Sequence, residues 1–196
     1  MSLLYARCYN VGNVLEPEKQ EVLTQLDEGR KALSEALAGV DEQMAVWKQM
    51  PTTWSILECV EHVVVSEEFL LSRLMAARAS ASALPNSTRE SMILERGIDR
   101  TTRVESPAVG RPRGRYLNLQ DAFTSFSAVR ARTIDWVGGL EGDLRSWLTD
   151  HPLIPGPVNG YEMLLIISVH PRRHAEQIKA IRISFEQAQK ASESAP

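Results

Sequence analysis

GYEMLLIISVHPRRHAEQIKAIRISFEQAQ, the stretch from Gly160 to Gln189, decides how this chain is read. Met163, Ile167, His170, His174, Gln177 and Ile181 follow one another in steps of four, three, four, three and four. That spacing draws a single seam along one face of a helix. An apolar residue is the default at every seam position, yet its middle is imidazole, imidazole and amide. Burying three polar groups in a row is costly unless each finds a partner. Residues four apart on a helix lie one above the other, so His170 and His174 can grip one ion together. Asn159 and Glu162 form a helix-start signal in front of the run, and Pro152, Pro155 and Pro157 exclude helix from the connection before it.

Outward from that seam, three further helical stretches are expected. One opens at Ser55, with Glu58 three residues on as a capping box, and runs to about Ala79 before Pro85. Ser55, Cys59, His62, Ser66 and Phe69 share its inward face, while Glu58, Glu61 and Glu68 lie largely outward. Another spans Asn118 to Gly138, with Leu119, Ala122, Phe123, Phe126, Val129 and Ile134 as its apolar face and Gly138-Gly139 as its stop. The earliest spans about Pro17 to Met44, where Leu23, Leu26, Arg30, Leu33, Leu37 and Val40 make a heptad seam with one basic interruption. No segment alternates as a strand should. The expected fold class is therefore all-α, a four-helix bundle with a connection of about forty residues between its second and third helices, long for such a link. Within it, Thr88–Arg100 is expected to form a short helix and Thr101–Arg115 an irregular loop. A single domain over 1–189 and a polar, frayed tail over 190–196 complete the expected organisation.

Composition narrows the function classes. The 196 residues are 43% apolar and 24% charged, with a net charge of −3, ordinary for a globular domain. Such a balance gives no electrostatic case for nucleic acid or for an anionic membrane surface. No apolar run reaches bilayer length, and Met1–Val14 lacks the basic and apolar regions of a secretory signal. Cys8 and Cys59 are too few and too scattered for a disulfide framework, so a reducing cytoplasm is the expected compartment.

Three of the four histidines, His62, His170 and His174, thus fall on inward faces of two helices. Three imidazoles on packed helices make a metal-binding face with positions left open, as in catalytic sites. The competing reading is of ordinary histidines, satisfied by carbonyls or carboxylates or exposed to water. His151, in the Pro-rich connection, reads as a surface residue, and Cys59 as a small core residue rather than a thiolate ligand. Trp47 and Trp54 read as packing anchors. Arg172 and Arg173 read as solvated charges, one of which could face a carboxylate. Arg89, Arg96, Arg100, Arg103, Arg111, Arg113 and Arg115 crowd one segment, partly offset by Glu90, Glu95, Asp99 and Glu105. That segment is either a cover over the metal, pairing with an anionic substrate, or a solvated connection.

Pro51-Thr52-Thr53-Trp54-Ser55-Ile56-Leu57-Glu58 followed by His62, and His170-Pro171-Arg172-Arg173-His174-Ala175-Glu176-Gln177-Ile178, together resemble the DinB-like (DinB/YfiT) metalloenzymes. There a Trp-Ser element and a Glu precede a metal-binding His on the second helix, and the fourth carries H-x-x-R-H-x-x-Q-I. The resemblance implies a four-helix bundle and often a dimer. It further implies a site of zinc or nickel with His62, His170 and His174 as ligands. Pro171 departs from a regular helix, because it removes an amide donor and can kink the chain between two ligands. The connection between helices two and three is also longer and richer in Arg than compact members need.

Three neutral imidazoles leave a divalent ion its full charge, so a coordinated water or small-molecule thiol becomes a nucleophile near neutral pH. The resemblance favours a small-thiol-dependent transferase, since such activities occur in the superfamily. A metal-dependent hydrolase, or a non-catalytic metal-stabilised dimer with a stress-related binding role, are the alternatives. Leu15, Val22, Ala36, Val46 and Trp47 fall off the first helix's seam and suggest a second apolar surface, hence a homodimer. The amino terminus, with Leu3, Leu4, Tyr5 and Tyr9, could cover the same surface.

Overall fold

The computed structural model describes residues 15–79, 87–102 and 104–194. Its helices are α1 (Leu15–Leu37), α2 (Glu42–Val46), α3 (Ile56–Met75), α4 (Ser87–Arg96), α5 (Leu119–Gly138) and α6 (Gly160–Glu193). Three short strands, β1 (Arg78–Ala79), β2 (Trp147–His151) and β3 (Ile154–Asn159), make one antiparallel sheet in that order. The architecture is mostly helical, and none of these helices is long and apolar enough to cross a membrane.

Local sequence sets the helix ends. Ser55 Oγ accepts from the Glu58 amide at 3.2 Å while a Glu58 carboxylate oxygen accepts from the Ser55 amide at 2.8 Å, a reciprocal cap for α3. Asn159 and Glu162 repeat the device for α6, at 2.9 Å in each direction. Asn118 caps α5 through the Asp121 amide at 2.8 Å. The helix expected over Pro17–Met44 is two helices instead. α1 ends at Leu37, Gly39 takes a left-handed φ of 76°, and Asp41 caps α2 through the Met44 amide. α3 likewise stops at Met75, short of Ala79, and Arg78 and Ala79 pair with Leu148 and Trp147.

That sheet overturns the expectation of no strands. β2 is its centre and β3 its edge, with Thr149 opposite Val158 and Asp150 opposite Pro157. Pro155 and Pro157 cannot donate to a ladder, so their strand is tolerated only at an edge. Prolines hid the strand from a reading based on alternation. Within the long connection, α4 overlaps the Thr88–Arg100 segment expected to hold a short helix, starting at Ser87 and ending at Arg96.

α1 lies chiefly against α6 and more lightly on α5; α3 packs on both α5 and α6, and α4 on α6. Val22 and Ala36, expected on a second apolar surface of α1, are buried within the chain, whereas Val46 is 54% exposed. Leu3, Leu4, Tyr5, Cys8, Tyr9 and Arg103 lie outside the described residues.

Where the four long helices meet, the core holds an ion pair. Arg130 on α5 and Glu67 on α3 are buried completely or nearly so. The guanidinium donates to Glu67 from Nη2 at 2.7 Å and from Nε at 2.9 and 3.2 Å. Its Nη1 donates to the Leu26 carbonyl of α1 at 2.6 Å, and its Nη2 also to the Ile167 carbonyl of α6 at 3.2 Å. Thr133 adds a hydroxyl donor to Glu67 at 2.7 Å. Beside this cluster α1 comes so close to α6 that a Cβ on Gly29 would lie 2.4 Å from the Ser168 carbonyl oxygen. α6 runs unbroken through Pro171.

Removing one member of a buried ion pair strands the other charge without solvent. Glu67→Ala should therefore cost about 3–5 kcal/mol of folding stability, seen as a lowered midpoint in urea unfolding of the metal-free protein. A loss below about 1 kcal/mol, the range of a surface pair, would show that Arg130 reaches water.

Candidate metal centre

Packing of α3 on α6 sets His62 beside His170 and His174. One ligand-capable nitrogen from each ring lies within 4.8 Å of those of the other two. His62 Nε2 is 3.0 Å from His170 Nε2, which is 3.1 Å from His174 Nε2. Two nitrogens held on one ion at ~2.0–2.1 Å are about 2.9–3.4 Å apart, and the two spacings to His170 fall in that range. His62 and His174 are only 6% and 5% exposed, while His170 is partly open.

The outer edges of two rings fix their tautomers. His62 Nδ1 meets the Gly110 carbonyl at 2.5 Å, and a carbonyl can only accept, so Nδ1 carries the hydrogen. His174 Nδ1 meets Gln177 Oε1 at 3.0 Å; Arg100 donates to that same oxygen at 2.7 Å, which identifies it as the acceptor. Both rings, when neutral, therefore turn a bare Nε2 lone pair toward His170. A hydrogen on His170 Nε2 could satisfy only one of them. A cation satisfies all three, and the donor set suits one.

Burial holds the pKa of each ring below the usual imidazole value, well below for His170 and His174, where neighbouring imidazoles and arginines add to the effect. Burial thus favours the neutral form of each ring, the form ligation requires. Trp54 covers them. Its ring centre is 4.8 Å from that of His62 and 6.4 Å, stacked, from that of His174. Trp47 instead meets Phe185 edge-on at 5.6 Å, a packing role.

The segment after α4 closes one flank. A Cβ on Gly110 would sit 3.1 Å from Ser66 Oγ and 3.2 Å from His62 Cε1, so the chain passes close over that ring. Glu61, expected to face outward, is buried, and its carboxylate takes the amides of Arg113 at 2.5 Å and Arg115 at 3.1 Å. Arg173 donates to the carbonyls of Asp99 and Thr102, the latter at 3.0 Å. Several arginines of this segment are engaged within the protein: Arg111 with Glu105 at 2.8 Å, Arg115 with Glu68 at 2.6 Å, and Arg100 with Gln177. Arg172 reaches Gln25 at 3.2 Å and Glu28 at 3.4 Å.

Cys59 is fully buried in the apolar core, and burial pushes its thiol up to about 12. It stands apart from the three-histidine cluster. His151 lies at the end of β2, where burial, with Arg73 nearby, lowers its imidazole to about 4; its Nδ1 accepts from the Leu153 amide at 3.2 Å.

The family model of the DinB superfamily matches residues 25–178, a span that holds all three histidines. The chain belongs to the DinB superfamily. No curated protein matches it. For this DinB-like chain, sequence reading missed Gly110, the pairing of Arg100 with Gln177 and the Arg130–Glu67 pair. Arg100 and Gly110 belong to the long connection, whose docking on α3 and α6 carries no periodic signal. Arg130 was visible in principle, since it falls on the stripe of Ala122, Phe126, Thr133 and Val137.

Gln177→Leu takes away the acceptor that fixes the His174 tautomer. Loss of such an outer partner weakens metal sites about 10–100-fold, and chelator-competition titration should show a fall of that size. Gln177→Glu should keep most of the affinity; equal affinity in wild type and the Leu variant would refute the role.

Proposed function

We propose that this DinB-superfamily chain is a metal-dependent enzyme that holds one divalent ion, zinc or nickel, through His62, His170 and His174. The observation that carries the reading is the meeting of three Nε2 atoms of which two are stripped of hydrogen by their outer partners. An all-nitrogen set without carboxylates suits zinc or nickel better than magnesium or calcium. It supports the picture of a DinB-type four-helix bundle in which α3 and α6 supply the ligands, while α1 and α5 complete the frame. When bound, such an ion supplies a Lewis acid that lowers the pKa of a coordinated water or thiol.

The chain's own groups do the rest. Gly110 and Gln177 orient two rings, and burial keeps the imidazoles neutral. Trp54 and the main chain at Gly110 shield two sides, and the partly open His170 leaves the approach for a small molecule. The favoured reaction is transfer of a small thiol to an electrophilic carbon; ester or amide hydrolysis is the alternative chemistry. The close cover over His62 and His174 favours, as a second reading, a structural ion that only stabilises the fold.

Elemental analysis of protein purified without a histidine tag should give a single zinc or nickel ion per chain. His170→Ala should abolish it, because this ring faces both of the others. A thiol screen with loaded and chelator-stripped protein should show turnover only when loaded. Metal without turnover would favour the structural ion, and absence of metal uptake would remove the proposal.

We further propose a homodimer. Val46 and Ile183, 54% and 56% exposed, flank in sequence the contact between Trp47 and Phe185 and offer apolar surface for it. Light scattering at micromolar concentration should give twice the chain mass; a strict monomer there would rule this out.

A further inference from the structure

α6 contains a defect that the rest of the molecule repairs. Pro171 has no amide hydrogen, so the Ile167 carbonyl four residues earlier lacks its helical donor. An unpaired carbonyl in the core is costly. Ile167 is buried, and the donor that reaches its carbonyl is Arg130 Nη2 at 3.2 Å. The same Nη2 is held at 2.7 Å by Glu67 of α3. Glu67 lies five residues beyond His62, and Ile167 three residues before His170. One guanidinium therefore ties the ligand-bearing segments of α3 and α6 about a turn or more from the site. On its other side Arg130 Nη1 is fixed by the Leu26 carbonyl of α1.

We infer that Arg130 is a positioning residue for the metal centre: by occupying the carbonyl that Pro171 leaves open while gripping Glu67, it sets the distance between His62 and His170. The inference rests on the metal-binding reading above. It assigns Pro171 a purpose, since a regular helix would satisfy Ile167 itself and free α6 from α5. The proline makes the ligand-bearing helix depend on the arginine.

A double-mutant cycle on the full chain tests this, with Co(II) as probe, read by its visible absorption bands and by chelator competition. Wild type is measured first; failure to take up Co(II) there defeats the metal reading itself. Given uptake, Arg130→Met should weaken Co(II) binding at least tenfold and change the band shape. In a Pro171→Ala background, where residue 171 regains its amide hydrogen, the same change should cost less than threefold. Near-ultraviolet circular dichroism checks that each variant is folded. If Arg130→Met does not fold, the pair Glu67→Gln with Arg130→Met, which strands no charge, takes its place in both backgrounds. Equal losses in the wild-type and Pro171→Ala backgrounds would overturn the inference, as would unchanged affinity and spectrum on loss of the guanidinium.

Discussion

One buried guanidinium organises this molecule. Arg130 donates to a carboxylate on α3, a carbonyl on α1 and a carbonyl on α6, while its own backbone belongs to α5. Apolar contacts between helices are forgiving, since similar volumes can slide past one another at small cost. Directed donors are not. A buried charge with this many fixed partners tolerates one arrangement of the four helices, because any slip leaves an ion or a carbonyl unsatisfied in the core. The apolar clusters on either side of it, around Phe126 and Val60 at one end and Leu26 and Leu164 at the other, supply the bulk of the burial. The ion pair supplies register, and the close approach at Gly29 is possible only in that register.

The histidine cluster draws on the same rigidity. Three imidazoles within van der Waals reach of one another would spread apart on flexible supports, since two of them present lone pairs to a common point. Here two rings are pinned from behind, by a carbonyl and by an amide oxygen that an arginine keeps facing inward. The placement of these two rings thus rests on contacts within the protein itself.

Much of this was legible in the sequence, and the exceptions share a cause. The seam through His170, His174 and Gln177 and the capping pairs Ser55–Glu58 and Asn159–Glu162 are local patterns, and the structure realises them. Placing His62 against them needed only that two inward stripes face each other. The sheet was missed because Pro155 and Pro157 mask a strand that survives as an edge. The break after Leu37 was missed because a leucine seam continues across Gly39 as far as Val40. The roles of Gly110, of Glu61 and of Arg100 on Gln177 were missed for a deeper reason: they act through main-chain atoms or across long separations, where side-chain periodicity carries no information.

The segment that closes the site is anchored in an uncommon way. Besides the Arg115–Glu68 ion pair, its holds on α3 are made by its own backbone, the Gly110 carbonyl on His62 and the Arg113 and Arg115 amides on Glu61. Main-chain atoms are common to all residue types, so these backbone holds are indifferent to what the loop's side chains are, Gly110 apart, while Arg100 and Arg115 add side-chain anchors to Gln177 and Glu68. Evolution can rewrite the outward residues of such a loop while its docking persists. A histidine cluster framed by rigid helices and covered by a strap docked largely through its backbone is a scaffold whose outer surface can diverge without risk to the fold.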